Sequence, residues 1–187
     1  MFNAVVATGI PADRWAANFD TVSVCFSKGL GAPVGSALAG PRELIDEALR
    51  HRKVFGGGMR QVGVIAAAAL YALEHHVQRL ADDHAHAQRL ATAIREIDGL
   101  ELRPPQVDTN LVIFHVDPRL GTGAEFSARL AQRGVRILAF GPQSMRAVTH
   151  LDVSESDVDR AAEVLAEVAH ATAGSSSPAA KARSAYA

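Results

Sequence analysis

Cysteine occurs once, at Cys25, among 187 residues. That excludes an internal disulfide framework and a zinc site built from cysteines. Long hydrophobic runs are also missing: Gly, Pro and Ser break every apolar stretch before the roughly 18 residues a membrane helix needs. Charge of one sign is not in excess, since 19 Lys plus Arg stand against 20 Asp plus Glu, a net charge of −1. A basic surface for nucleic acid or an anionic membrane is thereby disfavoured. The first residues show no basic start followed by an apolar core, so no secretory signal is read and a reducing, cytoplasmic setting fits. Lysine is scarce too, with Lys28, Lys53 and Lys181 the only three. Arginine holds its charge at essentially any pH, whereas lysine can give up a proton and act as a nucleophile, so each lysine merits inspection.

What is present describes a packed protein. Hydrophobic residues make up 48% and charged residues 21%, which excludes a disordered chain. Thr21 to Phe26 alternates Val22, Val24 and Phe26 with Ser23 and Cys25, the period of a strand. Gly29, Gly31, Pro33 and Gly35 then interrupt regular structure and place Lys28 where a strand enters a glycine loop. Pro41 opens a helix predicted over 42–51. After Gly56-Gly57-Gly58 a long Ala-rich helix is predicted over 59–77, apolar nearly all round and so expected to be buried between layers or subunits. A second helix, over 78–97, carries charges on one side only. From Leu100 short strand signals (110–116, 135–139, 146–150) alternate with helices (124–133 and from Asp157). Ser154 and Asp157 have the spacing of a capping box for the last of these. This reads as a separate α/β lobe beginning near Gly99, followed by a small, polar segment over 174–187 expected to be a disordered tail.

Only one charged side chain, Lys28, lies in the window from Thr21 to Gly40. An ammonium among small and apolar groups is poorly solvated, which frees the amine as a nucleophile. The alternative is a lysine whose stem reaches solvent from a glycine turn. The glycines fit neither the dinucleotide fingerprint nor a P-loop, because Gly35 comes one residue late and no Gly-Lys-Ser/Thr occurs.

The run SVCFSKGLGAPVGSALAG, followed by RHRKVFGGGMRQVGVIAAAALYAL, resembles the threonine aldolase family of pyridoxal-phosphate enzymes. The pattern continues through LEHHVQRLADDHAHAQRLA, TNLVIF and VTHLDVS, nearly the whole chain except its end. The resemblance implies an α/β chain: the C-terminal part of an aspartate-aminotransferase-like large domain (PLP fold type I) over 1–98, and a small α/β domain over 99–173. It implies pyridoxal 5'-phosphate as cofactor, Lys28 as its Schiff-base lysine, Arg60 as a phosphate contact across a subunit interface, and Lys53 as a further basic contact. Arg146 matches the arginine that binds the substrate α-carboxylate, a role suited to its planar fork. Without the resemblance, Arg60 and Lys53 read as a solvated basic cluster with Arg50 and Arg52, and Arg146 as a strand-edge arginine.

The implied reaction is aldol cleavage of L-threonine or L-allo-threonine to glycine and an aldehyde. A β-eliminating lyase of the same fold type and a fragment without catalysis are the competing readings. The implied partners are a small amino-acid substrate and, in the full-length form, further copies of the chain as a dimer or tetramer. The family pattern begins before Met1 with a DGAR-like run that supplies an Asp for the pyridine nitrogen. The chain therefore reads as a carboxyl-terminal half whose activity alone is expected to be low. His75, His76, His84 and His86 suggest a metal site at first sight. His84 and His86 lie two apart and so point to different helix faces, however, and the stretch is read as a solvated surface. His150 is read as a packing residue beside Arg146.

Overall fold

A computed structural model describes residues 1–173. The expected tail over 174–187 lies outside the described residues. The described chain divides into two compact units. The first comprises 1–85 with 108–110 and 149–153; the second comprises 86–107, 111–148 and 154 onwards.

In the first unit, α1 (Phe2–Thr8) and α2 (Ala12–Ala16) precede an antiparallel pair, β1 (Val22–Cys25) and β2 (Ser36–Ala39). Two longer helices follow, α3 (Arg42–Val54) and α4 (Gly63–His75), and then the start of α5 (Leu80–Arg95). β1 lies where the alternation places it. β2 went unread because Pro33, Gly35 and Gly40 around SALA resemble loop grammar. Pro41 occupies the position before the first helical residue of α3, where its missing N–H costs no helix hydrogen bond. Leu30, Ala32, Ala72 and Leu80 form a small buried cluster, joined by Phe2, Val6, Phe26, Leu73 and Val77.

The helix expected over 59–77 is shorter, Gly63–His75, and within this chain most of it is exposed rather than buried between layers. Only Ala69 and Ala72 of α4 are buried, while Val64 is 80% exposed and Tyr71 57%. The alanine side chains are too small to fill more than one face, and nothing else in this unit covers the rest.

The second unit holds a four-stranded antiparallel sheet in the order β3 (Leu100–Leu102), β4 (Leu111–Val116), β6 (Ser144–Val148), β5 (Leu138–Ala139). The rest of α5, α6 (Gly123–Ala131) and α7 (Glu155–Ala173) belong to it. Alternation sets its two faces. Val112, Phe114 and Val116 of β4, with Met145 and Ala147 of β6, are buried, whereas Arg146 and Val148 are exposed. Phe126, Leu130, Val164, Leu165 and Val168 from the helices are buried as well. The Ser154–Asp157 capping box is present, with Asp157 N–H donating to Ser154 Oγ at 3.2 Å and Ser154 N–H donating to Asp157 Oδ2 at 2.9 Å. A second box, Thr122 with Glu125, starts α6.

Phe114 is fully buried at the centre of this sheet. Phe114→Ala is expected to cost about 3–5 kcal/mol, the scale for emptying a packed aromatic site. Urea unfolding checks this; a loss below about 1 kcal/mol would contradict the packing described.

Candidate functional site

The site is built on the loop between β1 and β2. Its backbone is closed by three hydrogen bonds: Phe26 N–H to Gly35 C=O at 3.0 Å, Ala32 N–H to Phe26 C=O at 3.0 Å, and Gly31 N–H to Lys28 C=O at 2.8 Å. Gly31 has φ 70°, and a Cβ there would lie 3.2 Å from Leu151, so conformation and space both favour glycine. Leu30 turns inward and is only 3% exposed. Its carbonyl accepts from His76 Nδ1 at 2.6 Å, which places the proton on that ring nitrogen. The turn thus drives one side chain into the core and leaves its near neighbour Lys28 outside.

Lys28 is exposed and, among the described residues, has no ion-pair partner. The expectation of a poorly solvated ammonium is not met. Ser27 and Gly29 are too small to cover Nζ, and Phe26 and Leu30 pack into the apolar cluster. Lys28 opens on a cleft of about 250 Å³ whose walls include Asn3, Ser23, Cys25, Gly29 and Leu80.

Lys53 sits in the last turn of α3, and Arg60 in the turn before α4; both are exposed, and neither lines the Lys28 cleft. Among the described residues neither meets a carboxylate. They are joined by the Gly56–Gly58 link, in which Gly57 N–H donates to Arg52 C=O at 2.7 Å. Arg146 belongs to the second unit. It lies on the exposed face of β6, opposite Ile113 of β4 and Leu138 of β5, and among the described residues its guanidinium is also unpaired.

The histidines are not simply a solvated face. His84 Nε2 donates to Asn3 Oδ1 at 2.9 Å, as His76 does to Leu30. Asn3 Nδ2 donates to Asn110 Oδ1 at 3.2 Å, and Asn110 Nδ2 donates to the Thr149 carbonyl at 2.9 Å. Thr149 Oγ1 donates to the Asp83 carbonyl at 2.6 Å, and the fully buried Asp83 carboxylate takes both arms of Arg79 at 2.6 and 3.3 Å. Asn3 and Asn110 are 107 positions apart, so no local pattern could have announced this network. Burial pushes the His84 imidazole below its ordinary value, with nearby Asp83 opposing. Among the described residues no three His, Cys, Asp or Glu side chains gather as a metal site.

Comparison with known proteins adds the family. The family model described as beta-eliminating lyase matches residues 1–117. The chain belongs to this family. It is 42% identical over 171 residues to the low specificity L-threonine aldolase of Escherichia coli, covering 90% of this chain and 46% of that protein. Against the low-specificity L-threonine aldolase 1 of Arabidopsis thaliana it is 38% identical over 160 residues, covering 84% and 44%. The chain therefore spans about half the length of the curated relatives it matches. Among solved structures, a protein described as an L-allo-threonine aldolase from Listeria monocytogenes superposes with a TM-score of 0.74 at 17% identity, over 89% of this chain and 49% of that one. Ornithine delta-aminotransferase of Plasmodium falciparum superposes at 0.62 with 12% identity, over 91% and 44%. The fold is that of the beta-eliminating lyases and aminotransferases of PLP fold type I, of which this chain spans part.

Membership in the beta-eliminating lyase family implies use of pyridoxal phosphate. The Lys28 cleft fits such a group: an exposed primary amine, free of ion pairs among the described residues, beside an amide and a hydroxyl, suits an aldehyde with polar substituents.

The lowered His84 value has a consequence for stability. The folded state takes up this proton less readily than the unfolded chain, whose imidazole titrates near 6.5. The contribution is fully present above that pH and is lost as pH falls from there through the lower value of the folded state. Thermal melts from pH 7.5 to 5 are expected to show a falling midpoint, with a shallower fall in His84→Gln. An unchanged slope in the variant would contradict the assignment.

Proposed function

We propose that this chain serves pyridoxal-phosphate-dependent cleavage of the Cα–Cβ bond of L-threonine, L-allo-threonine and related β-hydroxy-α-amino acids, giving glycine and an aldehyde. The observation that carries the reading is the unpaired Lys28 amine held at the end of β1 over a polar cleft, in a beta-eliminating lyase. The names of the relatives support the substrate class.

Lys28 Nζ holds the cofactor covalently. Arg60, assisted by Lys53, supplies positive charge for the phosphate; their exposure and lack of carboxylate partners among the described residues support this. Arg146 binds the substrate α-carboxylate through its planar fork, between apolar neighbours that leave the guanidinium available. When bound, pyridoxal phosphate supplies an electron sink for the charge left on the α-carbon. The exposed apolar residues at the end of α3 and in α4, Phe55 at 83% and Val64 at 80%, support a homo-oligomer, dimer or tetramer, in which that surface is covered. The single thiol Cys25 and the balanced charge support a cytoplasmic setting without nucleic-acid partners. The described helices include none long and apolar enough to cross a membrane.

The family name favours one competing reaction, β-elimination, and products separate the two. Cleavage yields aldehyde and glycine, whereas elimination from threonine yields a keto acid and ammonia. Because the chain spans about half its relatives' length, the assay uses a polypeptide of full length, joining the first half of the bacterial relative to Met1. Acetaldehyde release from L-allo-threonine is expected, falling by roughly a thousandfold or more in Lys28→Ala, the scale for loss of a covalent nucleophile. A folded chimaera that releases keto acid instead, or whose turnover survives the substitution, would overturn the reading.

A further inference from the structure

The Lys28 cleft has a polar wall at Asn3 whose orientation is fixed by a run of hydrogen bonds. The run starts at a group that cannot reverse. The Thr149 carbonyl only accepts, so Asn110 must turn its Nδ2 toward it, at 2.9 Å. That leaves Asn110 Oδ1 as an acceptor, and Asn3 must offer its own Nδ2, at 3.2 Å. Asn3 Oδ1 then faces His84, whose Nε2 has to carry the proton, at 2.9 Å. Every donor and acceptor on the path is determined by one backbone oxygen.

The Asn3 amide group has two N–H bonds, and this path uses one. The other has no partner among the described residues, and Asn3 lines the same cleft as Lys28. Its Nδ2 lies where a Cβ on Gly29 would approach to 3.5 Å, beside the residue that follows Lys28. Asn3 is half-buried, so this N–H is open to solvent at the cleft wall, where a ligand oxygen can take the place of water.

We propose that Asn3 is a ligand-contacting residue of the Lys28 cleft and that His84 is its positioning residue: the amide, clamped by His84 and Asn110, presents its remaining N–H to an oxygen of the carbonyl compound that Lys28 captures. In that capture the Nζ lone pair adds to the aldehyde carbon and the carbonyl oxygen departs as water. Asn3 binds an oxygen substituent of the ligand and thereby sets the angle at which its aldehyde meets Nζ. His84 touches nothing in the cleft and acts only by holding Asn3. This inference rests on the proposal that Lys28 is the cofactor lysine.

The test is the affinity of the full-length chimaera for pyridoxal 5'-phosphate, read from its absorbance change on titration, alongside thermal midpoints. Asn3→Ala and the isosteric Asn3→Asp, which keeps an acceptor for His84 but has no N–H, are expected to raise Kd about tenfold, the scale of one lost hydrogen bond. His84→Leu should do the same, and His84→Gln, which restores an N–H donor, should recover most of the affinity. Ser127→Ala removes a hydrogen bond to the Ile137 carbonyl in the second unit, away from this path, and should lower the midpoint while leaving Kd within twofold. If Asn3→Ala does not fold, Asn3→Asp carries the comparison. Equal Kd values across the set, or no recovery in His84→Gln, would overturn the inference while leaving Lys28 as the cofactor lysine. No saturable binding even by the unaltered chimaera would overturn both.

Discussion

The turn from Phe26 to Gly35 is the constraint on which the site depends. Three backbone hydrogen bonds close it, and Gly31 takes a positive φ that a side chain would strain. The outcome is a division of labour over three residues. Leu30 is drawn into the cluster with Ala32, Ala72 and Leu80, and Lys28 is thereby held outside at a fixed place on the cleft. Leu30 gains burial, and the amine gains access. His76, donating to the Leu30 carbonyl, ties the same turn to the end of α4.

A second constraint meets the first at the cleft. The network running from Asn3 through Asn110 to Thr149 connects α1 with two short segments that are distant in sequence yet belong to the same compact unit. Its far end is anchored by the buried Asp83 with both arms of Arg79, a charge pair well worth keeping intact, since removing one partner strands the other in the interior. Function on this reading depends on two rigid supports, one apolar and one polar, that both reach the cleft at Lys28.

Much of this was legible in the sequence, and what was missed has physical causes. The isolation of Lys28 among small residues predicted a poorly solvated amine, and the structure leaves it exposed; β1 followed from the alternation of Val22, Val24 and Phe26, and the final helix from Ser154 and Asp157. These signals are local, and local chemistry decides them. Strand β2 was hidden because its short SALA segment carries the glycines and proline of a loop, and pairing with β1 overrides that propensity. The exposure of α4 could not be read either, since an apolar pattern shows that a helix wants cover but not whether its own chain supplies it. The contact between His84 and Asn3 is tertiary, and histidine spacing on one helix says nothing about a partner 81 positions away.

The central claim is that Lys28, rather than Lys53 or Lys181, is the amine that captures an aldehyde. The direct measurement is reduction with borohydride in the presence of pyridoxal 5'-phosphate, followed by peptide mass mapping. The account predicts a single stoichiometric label on the peptide containing Lys28. A label spread evenly over the three lysines, or concentrated on Lys53, would contradict it.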